Sequence, residues 1–183
     1  MKAEFQRKRT RLGASNYIGR RWYFVTICCF QRKKFFASPK QAQWLIACLR
    51  REAGRNNFAV HAFCVMPDHV HFLTEGLLDQ SNLQQFVSSL KRGTAWEIKK
   101  STGSRLWQRF FYDHIVRKAE DADAIAWYIW MNPVRKGLCL RPELYRFSGT
   151  FTGTPAWSRK PQEEWVPPWK RTVADMKSAS TGT

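Results

Sequence analysis

The stretch Phe58-Ala59-Val60-His61-Ala62-Phe63-Cys64-Val65-Met66-Pro67-Asp68-His69-Val70-His71-Phe72-Leu73-Thr74-Glu75 decides the fold. β-branched and aromatic residues flank a Pro-Asp break, which predicts two consecutive strands over 58–66 and 69–75 joined by a tight turn. A helix is predicted ahead of them. Ser38 suits its N-cap, Pro39 its first turn and Gln41 the reciprocal capping position; Ala42, Leu45, Ile46 and Leu49 recur at helical spacing, and Gly54 suits the stop. Upstream, Trp22-Tyr23-Phe24-Val25-Thr26-Ile27-Cys28-Cys29-Phe30 reads as a strand buried on both faces or nearly so. Downstream, Ser81 and Gln84 form a second capping box before the stripe Leu83, Phe86, Val87, Leu90; Gly93 leaves the continuation through Trp96 and Ile98 open. A fourth strand falls within 106–116 and a third helix over 121–131. That helix has Glu120, Asp121 and Asp123 at its start and Arg135 and Lys136 past its end, the charge order a helix dipole favours.

The order β-α-β-β-α-β-α predicts an α+β, ferredoxin-like split βαββαβ fold, an antiparallel sheet with helices against one face and an appended C-terminal helix. Residues 1–20 read as a basic arm and 21–146 as the domain. Residues 147–183, rich in Gly, Thr, Ser, Pro and Trp, read as a loosely ordered tail free to fold back on it.

Lys and Arg number 31 against 14 Asp and Glu, a formal net charge of +17. So large an excess opposes compaction, and a polyanionic partner such as nucleic acid supplies a reason for it. The charge is clustered in Arg7-Lys8-Arg9 with Arg11, in Arg20-Arg21 and in Arg32-Lys33-Lys34. These residues can line a phosphate backbone, giving affinity that falls steeply with salt. Trp22 and Trp107 can stack on unpaired bases at about 1–3 kcal/mol each, and either can equally be core. The five cysteines form no C-x-x-C pair, and the adjacent Cys28 and Cys29 would point to opposite faces of a strand. Reduced thiols in a soluble cytoplasmic protein are expected. The opening residues lack the apolar stretch of a secretory signal, and no apolar run is long enough to span a membrane.

His69 and His71 lie two apart at the start of a strand, so they share one face while Val70 and Phe72 take the other. Two imidazoles on a rigid strand are pre-placed for one metal ion, although two solvent-facing strand histidines explain the spacing nearly as well. A third ligand would have to come from elsewhere. Tyr128 and Asn132 are four apart and share a helix face, and an Asn132 amide oxygen beside two imidazoles would suit Mg²⁺ or Mn²⁺. A helix-ending Asn-Pro turn accounts for Asn132 without a metal.

Three ordered blocks then match something familiar. They are residues 65–73, Val65 to Leu73 of the stretch above; Leu106-Trp107-Gln108-Arg109-Phe110-Phe111-Tyr112-Asp113-His114-Ile115-Val116-Arg117; and Tyr128-Ile129-Trp130-Met131-Asn132-Pro133-Val134-Arg135-Lys136-Gly137-Leu138. Together they resemble the REP-associated tyrosine transposases, HUH single-strand nucleases related to the one-tyrosine insertion-sequence transposases. The resemblance spans about residues 21–138 and includes Tyr23-Phe24-Val25-Thr26.

It implies that His69, His71 and Asn132 hold a divalent metal, Mg²⁺ or Mn²⁺, and that Tyr128 is the nucleophile. It also implies no nucleotide cofactor, a substrate of single-stranded DNA with palindromic hairpin repeats, a 5′-phosphotyrosine intermediate with a released 3′-OH, and a monomer rather than a homodimer. Trp107 and the stretch ending at His114 match a signature of that family, and His114 is a candidate to take the phenolic proton. The stretch over 123–127, just ahead of the tyrosine, is unusually alanine-rich for the family. Two other readings remain: a catalytically silent basic nucleic-acid-binding module, and a metal-dependent nuclease in which water attacks and Tyr128 only packs.

Overall fold

The computed structural model describes residues 13–117, 121–157 and 159–168. Its elements are β1 (Trp22–Cys28), α1 (Pro39–Arg55), β2 (Phe58–Met66), β3 (His69–Gly76), α2 (Leu83–Thr102), β4 (Tyr112–Ile115), α3 (Ala122–Trp130), α4 (Asn132–Arg135) and β5 (Ser148–Gly149). The five strands form one antiparallel sheet in the order β4-β1-β3-β2-β5, so the expected split βαββαβ arrangement is present with a short strand added at the β2 edge.

Alternation along β1 divides the molecule. Tyr23, Val25 and Ile27 join Val70 and Phe72 of β3 in the larger core, against Leu45 and Leu49 of α1 and Phe86, Val87 and Leu90 of α2. Phe24 faces the other way and joins Leu73, Ala62 and Cys64 beneath Ile125, Tyr128 and Ile129 of α3. The helices therefore do not all lie against one face. The third helix covers the second face because its own stripe is strongly apolar and the sheet's even-numbered β1 positions need a cover.

Local chemistry also departs from expectation at three helix ends. Ser38 occupies the N-cap of α1 without a side-chain cap bond, and α1 runs one residue past Gly54, the turn being made by Asn57 at φ 59°. The N-cap of α2 is Asn82, whose side chain accepts from the Gln85 amide at 3.1 Å. Ser81 instead donates to the Asn57 carbonyl at 2.8 Å and accepts from the Leu78 amide at 3.1 Å. Gly93 does not break α2, which continues with Thr94 and Ile98 buried and closes on Gly103 in the left-handed conformation, φ 66°. Part of the expected loose tail is built into the fold. Trp130 Nε1 donates to the Gly149 carbonyl at 3.0 Å, and Trp165 is buried on the α3 face.

Burial raises the Cys29 thiol and the Tyr23 phenol each to about 12. Both folded values lie above the unfolded ones, so the unfolded chain ionises first. Their stabilising contribution is complete below about pH 9 and is lost as pH rises toward 12. Denaturant midpoints are accordingly expected to fall between pH 8 and pH 10.5. An unchanged midpoint would show that these groups do not couple to folding.

Candidate active site

A cleft of about 560 Å³ opens on the α3 face of the sheet, lined by Thr26, Cys28, Asp68, His69, His71, Tyr128 and Asn132 among others. Its floor follows from strand register. Thr26 lies across from His71, and His71 across from Cys64; Cys28 lies across from His69, and His69 across from Met66. The period of two thus places both histidines on the cleft face, with Val70 and Phe72 in the opposite core. A slightly larger groove, about 650 Å³, lies between α1 and α2, but contains no histidine or tyrosine.

The imidazoles converge. His69 Nε2 and His71 Nε2 are 3.0 Å apart, and the rings meet edge to face. Each ring is anchored through its other nitrogen: Asp68 Oδ1 is 2.6 Å from His69 Nδ1, and Thr26 Oγ1 is 2.7 Å from His71 Nδ1. The hydrogen bond to His69 holds the Asp68 carboxyl below its ordinary value against the opposing effect of burial, and Arg32, 3.3 Å away, acts in the same direction.

Tyr128 reaches the cleft from α3, its ring centroid 6.4 Å from that of His71. It packs on Phe24 and Trp165, and the Arg135 guanidinium lies 4.3 Å from its ring centroid and donates to its carbonyl oxygen. Burial raises the phenol above its ordinary pKa, and Arg135 works against that rise. Asn132 follows at the start of α4. Its Nδ2 donates to the carbonyls of Tyr128 and Ile129 at 2.9 and 3.2 Å, which satisfies helix-end acceptors. The amide oxygen remains on a residue that lines the cleft, so the helix-ending role and a ligand role are compatible. Among the described residues no three His, Cys, Asp or Glu side chains form a metal-binding cluster.

Residues 19–132 match the family model described as "Transposase IS200 like". The chain belongs to the IS200-like transposase family. It is 26% identical to a Haemophilus influenzae protein named "Putative REP-associated tyrosine transposase", over 63% of this chain and 71% of that relative. An uncharacterised H. influenzae protein is also 26% identical, over 70% of this chain and 88% of its own length. Among solved structures, a REP-associated tyrosine transposase bound to a REP hairpin aligns with a TM-score of 0.65 at 22% identity, covering 94% of this chain and 96% of the other.

In this IS200-like transposase the remaining candidate residues are dispersed. Trp107 is core, contrary to the stacking expectation. It is 3% exposed, packs on Phe36 and donates from its indole to Thr94 Oγ1 at 2.8 Å, so neither ring face is offered to a base. Trp22 is half-buried and stacks on His61 at 4.1 Å. His114 pairs with Phe24 in the β1–β4 register and lies 6.0 Å from Trp165; it is not among the cleft-lining residues. Arg32 and Lys34 line the cleft, while Arg20, Arg21 and Lys33 are exposed elsewhere. Arg20 pairs with Asp79 at 3.2 Å. Arg7, Lys8, Arg9 and Arg11 lie outside the described residues.

Sequence reasoning missed Thr26, Asp68, Arg135 and Trp165. Asp68, directly before the first histidine, carried a visible signal, as did Arg135, two helical turns after Tyr128. Thr26 could be found only by knowing the strand register. Trp165 stands in a Pro-rich segment with no periodicity to place it.

Proposed function

We propose that this chain cuts and rejoins single-stranded DNA at hairpin-forming repeats, through attack of Tyr128 on a backbone phosphate beside a divalent metal. The observation that carries the reading is the convergence of the His69 and His71 Nε2 atoms, 3.0 Å apart, in a cleft that also holds Tyr128 and Asn132. The residues fit Mg²⁺ or Mn²⁺. Two imidazole nitrogens and an amide oxygen are borderline-to-hard donors, and with only three protein ligands, positions remain for water and phosphate oxygen. When bound, such an ion polarises the phosphate and offsets charge developing on its oxygens.

The protein's own groups supply the rest. The Tyr128 oxygen forms a bond to phosphorus, the bond to the 3′ oxygen breaks, the phenolic proton leaves, and the departing oxygen takes up a proton to become 3′-OH. Phosphodiester energy is retained in the phosphotyrosine, so attack by a 3′-OH reverses the step without a nucleotide cofactor. Arg32, Lys34 and Lys136 at the cleft favour an approaching phosphate. The REP-hairpin complex of the structural relative supports a hairpin DNA substrate for this chain, and the protein is taken to act as a monomer.

The test uses labelled hairpin single strands with Mn²⁺, with Mg²⁺ and with chelator, resolved on a denaturing gel. A metal-dependent covalent protein–DNA band is expected. Cleavage without that band would replace the reading with hydrolysis by water, and binding without either product would replace it with a silent binding module.

Salt dependence gives a separate check on the interface. Each phosphate contact to a single strand contributes about −0.7 to the slope of log K against log salt. Replacing both Lys33 and Lys34 by Ala is expected to make that slope shallower by about 1.4. A slope equal to wild type in a binding titration would remove these two lysines from the interface.

A further inference from the structure

One rim of the cleft is built from two loops lying side by side. Past β1 the chain turns through two consecutive left-handed residues, Gln31 at φ 53° and Arg32 at φ 55°, a costly conformation for non-glycine residues. The turn sets Arg32 3.3 Å from Asp68 and leaves Lys33 and Lys34 exposed. Beside it runs the segment that leads into β4. The Phe30 amide donates to the Leu106 carbonyl at 2.7 Å, and the Gln108 amide to the Cys28 carbonyl at 2.9 Å. Residues 29–35 and 104–112 together hold five basic side chains and no acidic one.

Strand register puts a bulge in the second loop. Thr26 pairs with Tyr112 and Cys29 with Trp107, so β1 advances three residues while its partner advances five. Two residues are therefore looped out between Trp107 and the cleft-lining Tyr112, and bulges of this kind re-aim side chains. Lys91 of α2 fixes the bulge, its Nζ donating to the carbonyls of Gln108 and Arg109 at 2.9 Å each. Among the described phenylalanines, Phe30 and Phe110 alone join neither core. Each is half-buried and lies against an exposed guanidinium: Arg105 is 4.9 Å from the Phe30 ring centroid, and Arg109 is 5.2 Å from that of Phe110.

Resting on the DNA reading above, we propose that this rim is the track for the single-stranded flank of the hairpin, with Arg105 and Arg109 each stacking an unpaired base. A guanidinium plane held against a ring stacks a base as an aromatic side chain does, and its charge meets the neighbouring phosphate. The bases of a duplex stem are already stacked on one another, so two ring–guanidinium pairs fit the flank rather than the stem. The absence of acidic residues from both loops suits a polyanion. Arg32, Lys34 and Tyr112 line the cleft, which makes the track continuous with the place where Tyr128 meets the strand.

The experiment is a binding titration of the full chain, in chelator so that no strand is cut. The labelled probes are a hairpin with single-stranded flanks, the same hairpin with abasic flanks, and the bare stem. The double variant Arg105→Lys with Arg109→Lys keeps the charge and loses the planes. It is expected to bind the flanked hairpin about 5- to 150-fold more weakly for each stack lost. Its salt slope should be unchanged, and it should match wild type on the abasic flanks and the bare stem. Arg105→Ala with Arg109→Ala should in addition make the slope shallower by about 1.4. Wild-type affinity of the lysine variant for the flanked hairpin would overturn the track. An equal loss on the bare stem would overturn it too, by placing the pairs on the duplex. Neither outcome touches the metal-dependent covalent band, so the cleavage reading would stand. A wild-type chain that binds none of the probes would overturn the DNA reading, and the track with it.

Discussion

Replacing Tyr128 by Phe is expected to abolish the covalent protein–DNA band and to lower strand cleavage at least about a thousand-fold, in keeping with losses seen when an enzyme's nucleophile is removed. The change deletes one oxygen. The ring keeps its contacts with Phe24 and Trp165, and the Arg135 guanidinium still has its face and the backbone carbonyl. Thermal midpoints should therefore stay close to wild type, and a lost band would report chemistry rather than unfolding. Single-turnover cleavage of labelled hairpin DNA measures both products at once. Tyr128 is only 7% exposed and lies under Trp165, which lends the water-attack reading its one point of support. If cleavage in Tyr128→Phe stays within a few-fold of wild type, that reading is correct and the tyrosine is packing.

The second large effect concerns stability. Phe24→Ala is expected to cost about 3–5 kcal/mol, the usual range for emptying a buried aromatic site. Phe24 is fully buried, with ring centroids 5.5 Å from His71, 6.1 Å from Tyr128, 5.1 Å from Trp165 and 6.3 Å from Tyr112. It sits where β1, α3 and the C-terminal segment meet, so no single neighbour can move to fill the gap. Against an ordinary stability of about 5–15 kcal/mol, such a loss is a large share. Urea denaturation measures it, and a cost below about 1 kcal/mol would mean that the α3 face contributes little to folding. The same substitution removes the surface on which the cleft is built, so folded molecules should also cleave more slowly.

Much of this was legible in the residues. The strand–helix order followed from hydrophobic period and turn residues, and the spacing of His69 and His71 placed them on one face before any partner was known. What escaped depends on the third dimension. The side on which α3 packs is set by which sheet face α1 and α2 leave uncovered. Trp107 reads the same on paper whether it stacks on a base or fills a core; the Thr94 hydroxyl that takes its indole hydrogen lies thirteen residues back on α2. Ser148 and Gly149 have no strand propensity and become β5 only because the edge of β2 is there to pair with.

The strict alternation along β1 has an evolutionary consequence. Tyr23, Val25 and Ile27 build one core, while Phe24 enters the other and Thr26 and Cys28 line the cleft on that same face. Loss or gain of a single codon inside this strand would exchange the two sets, sending a hydroxyl and a thiol into the helix-covered core and an aliphatic side chain beneath the tyrosine. Folding and chemistry would fail together. Lineages of this protein should therefore vary β1 by substitution at fixed length, and length changes should be confined to the connections between strands and helices.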